Sequence, residues 1–335
     1  MYAHLLTLCC LLLWGTASGA PSDHIQRREA VLMGTPFRIS VSGASAEQVD
    51  AAAHAAFSEI ARIELLMSEW RPDSELSAVN DSAGDHPVKV SAETFAVVHE
   101  AVKLAEMSGG AFDPTWAALR GLWDFQTKPP KLPTAEAIAG RLKRVGWQKV
   151  KLDAKASTVF LAEPGMALGL GGIAKGYAID RAADIMKRHG LERFIVDGGG
   201  DLYVSGVKLS GQPWTLGVQS PRTPGKLIAT LPLTDAAMVT SGDYERFFVL
   251  DGVRYHHIID LRTGHPAQLS QSVTVRASKA MMADALSTAI FVLGPEAGIA
   301  LAKKLPGVEA AVVGANGAIS TTPALAEAFD PRKRR

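Results

Sequence analysis

Cysteine is nearly absent from this sequence: its 335 residues include two, Cys9 and Cys10, both within the first twenty positions. A chain processed after that segment has no thiol, which excludes a disulfide framework, a cysteine nucleophile and a sulfur-ligated metal. Charge of one sign is lacking too, and a formal net charge of +1 leaves no electrostatic footprint for nucleic acid. The apolar run Leu5–Trp14 is too short to span a bilayer. No G-x-S-x-G elbow or H-E-x-x-H helix occurs, and Lys175 is followed by Gly176 where a Walker motif needs Ser or Thr. Internal repeats and low-complexity tracts are also missing.

Residues 1–20 resemble an export signal, with Leu5–Trp14 followed by the small residues Ala17-Ser-Gly-Ala20. A lipid anchor is disfavoured, because neither cysteine follows a pair of small residues. The expected organisation is a signal peptide over 1–20, a polar link over 21–30, one domain over 31–325 and a basic tail over 326–335, ending in Arg332–Arg335.

Within the domain, Val31–Val41 alternates as a strand from about Met33-Gly34-Thr35 onward, and the apolar spacing of 46–67 predicts an amphipathic helix. Further helices are expected over 91–108, 134–145, 174–189, 280–293 and 295–304, with a hairpin over 147–162. Short strands are expected at Phe194–Val196, Leu202–Val207, Trp214–Val218, Leu227–Leu231, Phe247–Leu250, Tyr255–Ile259 and Ser272–Ala277. One large α+β domain fits this succession.

Chemistry concentrates at Leu168-Gly-Leu-Gly-Gly-Ile-Ala-Lys-Gly-Tyr-Ala-Ile-Asp180, a glycine turn opening a helix, which suits an anion. Lys175 in the first helical turn opposes the helix dipole, a conflict that a phosphate would resolve. Gly169–Ala174 also satisfies the G-x-G-x-x-A dinucleotide fingerprint, with Asp197 where a ribose-binding acid would stand. Against a nicotinamide-binding Rossmann domain, Asp197 is followed by glycines and strands rather than by strand, helix, strand.

Asp284 and Thr288, at i and i+4, suit a hard cation. The alternative reading is that Asp284 serves only the helix terminus and Thr288 only its own backbone. His256-His257-Ile-Ile-Asp260 offers a general base, a polar contact, or a strand-end histidine satisfied by backbone. His54 and His99 are read as ordinary helix residues. Trp70 suits either the core or stacking on a flat ring.

Taken in order, Met33-Gly-Thr35, Ser68-Glu-Trp-Arg-Pro-Asp-Ser-Glu-Leu-Ser77, Gly110-Ala-Phe-Asp113, Gly171–Asp180, Asp197-Gly-Gly-Gly-Asp201, Thr240-Ser-Gly242, His257-Ile-Ile-Asp260 and Asp284-Ala-Leu-Ser-Thr288 resemble the ApbE family of FAD:protein FMN transferases. The resemblance implies a T-fold-related α+β domain with mixed or antiparallel sheets and flanking helices. It implies FAD as substrate, Mg²⁺, and transfer of FMN to a threonine hydroxyl of a target protein with release of AMP. By position it places Met33, Trp70, Ala111, Phe112, Asp113, Gly171, Lys175 and Ile259 at FAD, and the Gly172 carbonyl, Asp284 and Thr288 at the metal. His257 and Lys175 become the candidate catalytic residues, His257 by activating or orienting the threonine. With the export signal, the acceptor is expected to be an exported or membrane-anchored protein, in the periplasm or beyond. Gly169 departs from the family, which often has Asp there, and Leu261 stands where it often has Pro. An exported FAD carrier and an Mg²⁺-dependent FAD pyrophosphatase are the alternatives that share this site.

Overall fold

The structure, a computed structural model, describes residues 23–126 and 128–330. The expected export segment, with Cys9 and Cys10, and the last residues of the basic tail lie outside the described residues. Met33 and Gly34 both take positive φ, 50° and 67°, and turn the chain back on itself. The strand expected over Val31–Val41 is therefore two, Ile25–Leu32 and Thr35–Ser42, paired antiparallel from Leu32–Thr35 outward. Two left-handed residues in a two-residue turn match the twist of the strands they join. Residues 25–30, expected in the polar link, thus form an edge strand. The polar run Gln26-Arg-Arg-Glu29 is what reads as a link in the sequence.

Eight strands form one sheet, and their spatial order is their chain order: Ile25–Leu32, Thr35–Ser42, Phe194–Gly198, Asp201–Ser205, Ala236–Gly242, Ser270–Ala277, Glu309–Gly314 and Ile319–Thr321. Every neighbouring pair is antiparallel. This excludes the doubly wound parallel sheet that the dinucleotide fingerprint suggested. Asp197 instead accepts the Gly200 N–H at 2.8 Å and shapes its own turn.

Helices α1 (Ala46–Met67), α2 (Glu75–Asp81), α3 (Ala92–Met107), α4 (Ala135–Leu142) and α5 (Ala174–Arg188) are all inserted between the second and third strands. Ser45 starts α1 through a capping box with Gln48, and Val49, Ala53, Ala56, Ile60, Ile63 and Met67 bury its inner stripe. The sixth helix, α6 (Ala280–Lys303), is apolar and long enough to cross a membrane by composition. It is broken at Gly294 (φ 78°) before Pro295 and packs mainly inside the protein, so it serves as two core helices, as its sequence predicts.

One face of the sheet packs on α1, α5 and α6, joining Phe37, Ile39, Phe194 and Val196 to Ile60, Ile179 and Phe291. Alternate residues point to a second core, where Leu202, Val204, Ala236 and Met238 meet Trp214, Leu216 and Leu231 of the hairpin Trp214–Gln219/Leu227–Leu233. Leu325 and Phe329 close that second core. Residues 326–330, expected in a solvated tail, are therefore anchored, because Phe329 is apolar enough to bury its ring among these side chains.

The crossing of α5 over the start of α6 sets the site. Asp180 accepts the backbone N–H groups of Ala280 and Met281 at 2.8 and 3.0 Å, capping α6 from a neighbouring helix. A Cβ on Gly176 would lie 2.3 Å from the Ala280 carbonyl oxygen. Backbone atoms cannot yield cheaply to such a contact. Gly176→Ala is expected to lose about 3 kcal/mol of stability, read as a lower urea midpoint, and an unchanged midpoint would show that the helices are not locked there.

Candidate functional site

The glycine turn is held from several sides. Asn80, on α2, accepts the Leu168 N–H at 2.7 Å and donates to the Leu168 carbonyl at 3.0 Å. Gly169 donates to the Pro114 carbonyl at 2.8 Å, while Trp116 Nε1 donates to the Gly169 carbonyl at 2.9 Å. A Cβ at Gly169 would sit 2.6 Å from the Trp116 ring. The departure at Gly169 thus has a physical counterpart, since the indole of Trp116 fills the space a side chain would need. Removing both amide hydrogen bonds with Asn80→Leu is expected to cost about 2–3 kcal/mol, because Leu168 is left with buried unmet groups. A variant with unchanged melting would show the clamp to be idle.

Beyond this clamp α5 begins at Ala174 with no capping side chain. Lys175 is answered by the protein itself, its Nζ lying 2.5 Å from Asp201 Oδ2. Burial opposes the lysine's charge, but Asp201 and Asp284 outweigh it and raise its pKa. The dipole conflict read from the sequence is therefore already partly relieved by Asp201, which also accepts the Thr240 N–H at 3.3 Å.

Asp284 lies buried in α6 and accepts the Gly176 N–H at 3.0 Å. Burial and the negative charge of Asp201 push its pKa up to about 7. A cation bound to Asp284 would compete with that proton. Thr288 lies one helical turn on, and a Cβ on Gly172 would stand 3.6 Å from Thr288 Oγ1 and 3.3 Å from the Phe112 ring. Gly172, Phe112 and Thr288 are thus neighbours. Ser287, rather than Thr288, bonds back to its helix, donating to the Asp284 carbonyl at 2.8 Å. Among the described residues no three histidine, cysteine or acidic side chains cluster to hold a metal. The donors present, one carboxylate, one hydroxyl and a nearby backbone carbonyl, suit Mg²⁺, which keeps waters and takes substrate phosphate oxygens.

Around this centre the expected contact residues fall in distinct places. Met33 sits in the first hairpin turn, its N–H donating to Glu64 at 2.8 Å near the end of α1. Trp70 follows that helix and is 68% exposed, which removes the core reading and leaves the stacking one. Ala111 and Phe112 are buried after α3. Asp113 is buried as a junction, accepting from Thr115 N and Oγ1 at 2.8 and 2.7 Å and from Trp147 N at 3.0 Å. Ile259 pairs with Pro266 in a short hairpin.

The two histidines separate cleanly. His256 is buried, with Nε2 2.7 Å from the Ala267 carbonyl and Nδ1 accepting the Ile258 N–H at 3.3 Å, so it is the strand-end histidine satisfied by backbone. His257 is exposed. Desolvation by the protein around it, with His256, Arg246 and Lys175 as neighbours, holds its pKa down to about 4. Its open surface tempers that shift without reversing it, so the ring is neutral at neutral pH. His54 and His99 are exposed helix residues.

Several residues at the site had no individual signal in the sequence. Asn80 lies on α2, which was not expected because a short helix between turns has little periodicity. Asp201 stood within a quoted motif, but its pairing with Lys175 depends on strand placement. Glu69 lies beneath the turn, its Oε1 3.9 Å from where a Cβ on Gly171 would be, and Arg120 reaches the Glu69 carbonyl at 3.1 Å.

The ApbE family model matches residues 33–312. A FAD:protein FMN transferase of Treponema pallidum is 37% identical over 327 residues, covering 92% of this chain and 90% of the relative. One from Klebsiella pneumoniae is 34% identical, covering 88% and 90%. Among solved structures, the ApbE protein of Thermotoga maritima superposes with a TM-score of 0.83 at 36% identity, covering 91% of this chain and 99% of that one. The flavin transferase ApbE of Vibrio cholerae gives 0.78 at 29% identity, covering 89% and 97%. The expected α+β fold of antiparallel sheet and flanking helices is the fold of these proteins, and the chain belongs to the ApbE family.

Proposed function

We propose that this chain is a FAD:protein FMN transferase that moves FMN from FAD to a threonine hydroxyl of an acceptor protein, with Mg²⁺ as its metal. The observation that carries this reading is the convergence of Asp284, Thr288, Gly172, Phe112 and the Lys175–Asp201 pair at one glycine turn. Its relatives bear the name of that activity.

In the reaction the threonine oxygen bonds to the FMN-side phosphorus of the FAD diphosphate as the bond to the bridging oxygen breaks. AMP departs with that oxygen, and the threonine proton passes to a base. Mg²⁺, held by Asp284, Thr288 and the Gly172 carbonyl, would neutralise charge on the diphosphate. Lys175 supplies a fixed positive charge at the start of α5, so little reorganisation is needed as charge develops on the leaving phosphate. His257, neutral and open to solvent, accepts a hydrogen bond from the incoming hydroxyl and orients it. An anionic diphosphate beside it raises its basicity, since a nearby negative charge favours imidazolium. An export segment at residues 1–20 would put this reaction, and its acceptor, outside the cytoplasm.

The test is to incubate the protein with FAD and Mg²⁺, with and without a threonine-bearing acceptor domain, and to follow AMP, FMN and acceptor mass. The expected result is an acceptor heavier by one FMN, with one AMP released for each. AMP with free FMN and an unmodified acceptor would replace this reading with an FAD pyrophosphatase, and tight FAD binding without AMP would replace it with a carrier.

A further inference from the structure

Arg120 follows the short helix Pro114–Leu119, which begins at the Asp113 cap. Its Nη1 donates to the Glu69 carbonyl at 3.1 Å, and its guanidinium carbon lies 4.5 Å from the centroid of the Trp70 ring. Its Nε and Nη2 are buried and have no hydrogen-bond partner among the described residues. Those two nitrogens form one edge of the guanidinium, and their N–H groups point side by side. That fork matches the paired oxygens of a phosphate or carboxylate.

Leaving such donors buried and unmet is costly, about 1–3 kcal/mol for each group and more where charge is involved. Native proteins rarely keep them without a ligand, ion or water to receive them. Glu69, buried beside Arg120, meets the guanidinium through its carbonyl oxygen, and its carboxyl group reaches instead toward the glycine turn at Gly171. Burial pushes that carboxyl's pKa up, against the pull of Arg120, and so weakens its claim on the fork. The indole of Trp70 holds the guanidinium plane from one side.

We propose that Arg120 is a phosphate-binding residue of this site: its Nε–H and Nη2–H fork receives two oxygens of a nucleotide phosphate beside the glycine turn. The identification of that nucleotide as FAD rests on the proposed function; the fork itself does not. FAD carries two phosphates, one in its FMN half and one in its AMP half, and the shared chemistry is a phosphate oxyanion.

The experiment compares wild type with Arg120→Met, which keeps much of the side-chain length without the fork, and Arg120→Lys, which keeps the charge alone. Equilibrium binding of FAD, FMN, ADP and riboflavin is measured by fluorescence, with melting followed in parallel. Arg120→Met is expected to weaken FAD at least about tenfold, to leave riboflavin within about twofold, and to flatten the salt dependence of FAD binding. Arg120→Lys should recover only part of the loss. A larger loss for FMN than for ADP assigns the fork to the FMN phosphate, and the reverse assigns it to the AMP phosphate.

Unchanged FAD binding in Arg120→Met overturns the proposal, as does an equal loss of riboflavin. If Arg120→Met melts early, Arg120→Lys decides: full FAD affinity there means that the fork is not used. A wild-type chain that binds ADP but neither FAD nor FMN would sink FAD as the donor and leave the fork standing.

Discussion

Asp284→Ala is expected to reduce Mg²⁺-dependent FMN transfer about a thousandfold, because it removes the one carboxylate from the proposed donor set. Thr288→Ala should cost only about tenfold, since a neutral hydroxyl is the weaker ligand for a hard dication. Asp284→Ala should act oppositely on the metal-free protein. Asp284 is buried beside Asp201 and its pKa is pushed up to about 7. A carboxylate whose folded pKa is raised stabilises the fold fully below its unfolded pKa, near 4, and that contribution is lost as pH rises toward 7. Metal-free Asp284→Ala should therefore lose less stability than wild type between about pH 4 and pH 7. In wild type, Mg²⁺ affinity should climb across the same interval as the competing proton leaves. Titration calorimetry with Mg²⁺ and urea melts across this range would check both parts, and full Mg²⁺-dependent transfer by Asp284→Ala would remove Asp284 from the site.

Lys175→Met is expected to lower transfer about a hundredfold and to destabilise the fold as well. It leaves Asp201 buried, with no other cation in hydrogen-bond contact among the described residues, beside Asp284. Breaking a buried pair from one side costs about 3–5 kcal/mol, less whatever the stranded acid recovers by taking up a proton. With Lys175 gone, the Asp201 pKa rises further above its unfolded value. The deficit should then be small below about pH 4 and grow as the pH increases. Urea midpoints at low and neutral pH would show this. Adding Asp201→Asn to Lys175→Met should recover much of the stability at neutral pH but none of the transfer. Recovery of both would mean that Lys175 acts only as a structural counter-ion.

Helices were the most legible part of the fold. The stripe in residues 46–67 predicts α1 with the bounds observed, and the helices expected over 280–293 and 295–304 are the two halves of α6, Ala280–Lys303, on either side of Gly294, because amphipathic spacing and caps act locally. The strands Ala236–Gly242 and Glu309–Gly314 were not expected. They are rich in Ala, Ser and Gly, weak strand formers, and hold their place by packing against both cores. The hairpin at Met33-Gly34 was missed because a methionine at φ 50° gives no turn signal of its own.

Local residue order by itself determined that this chain has a glycine turn opening a helix, a carboxylate and a hydroxyl one turn apart on another, and almost no cysteine chemistry. Only the tertiary structure decided that Lys175 pairs with Asp201, that Asp180 caps α6 and that His257 is open while His256 is buried. It alone put Arg120 between Glu69 and Trp70. The reason is physical. Helical periodicity and caps are encoded within a few residues, whereas a buried charge finds its partner through the packing of strands and helices far apart in the chain, at a distance that no local pattern records.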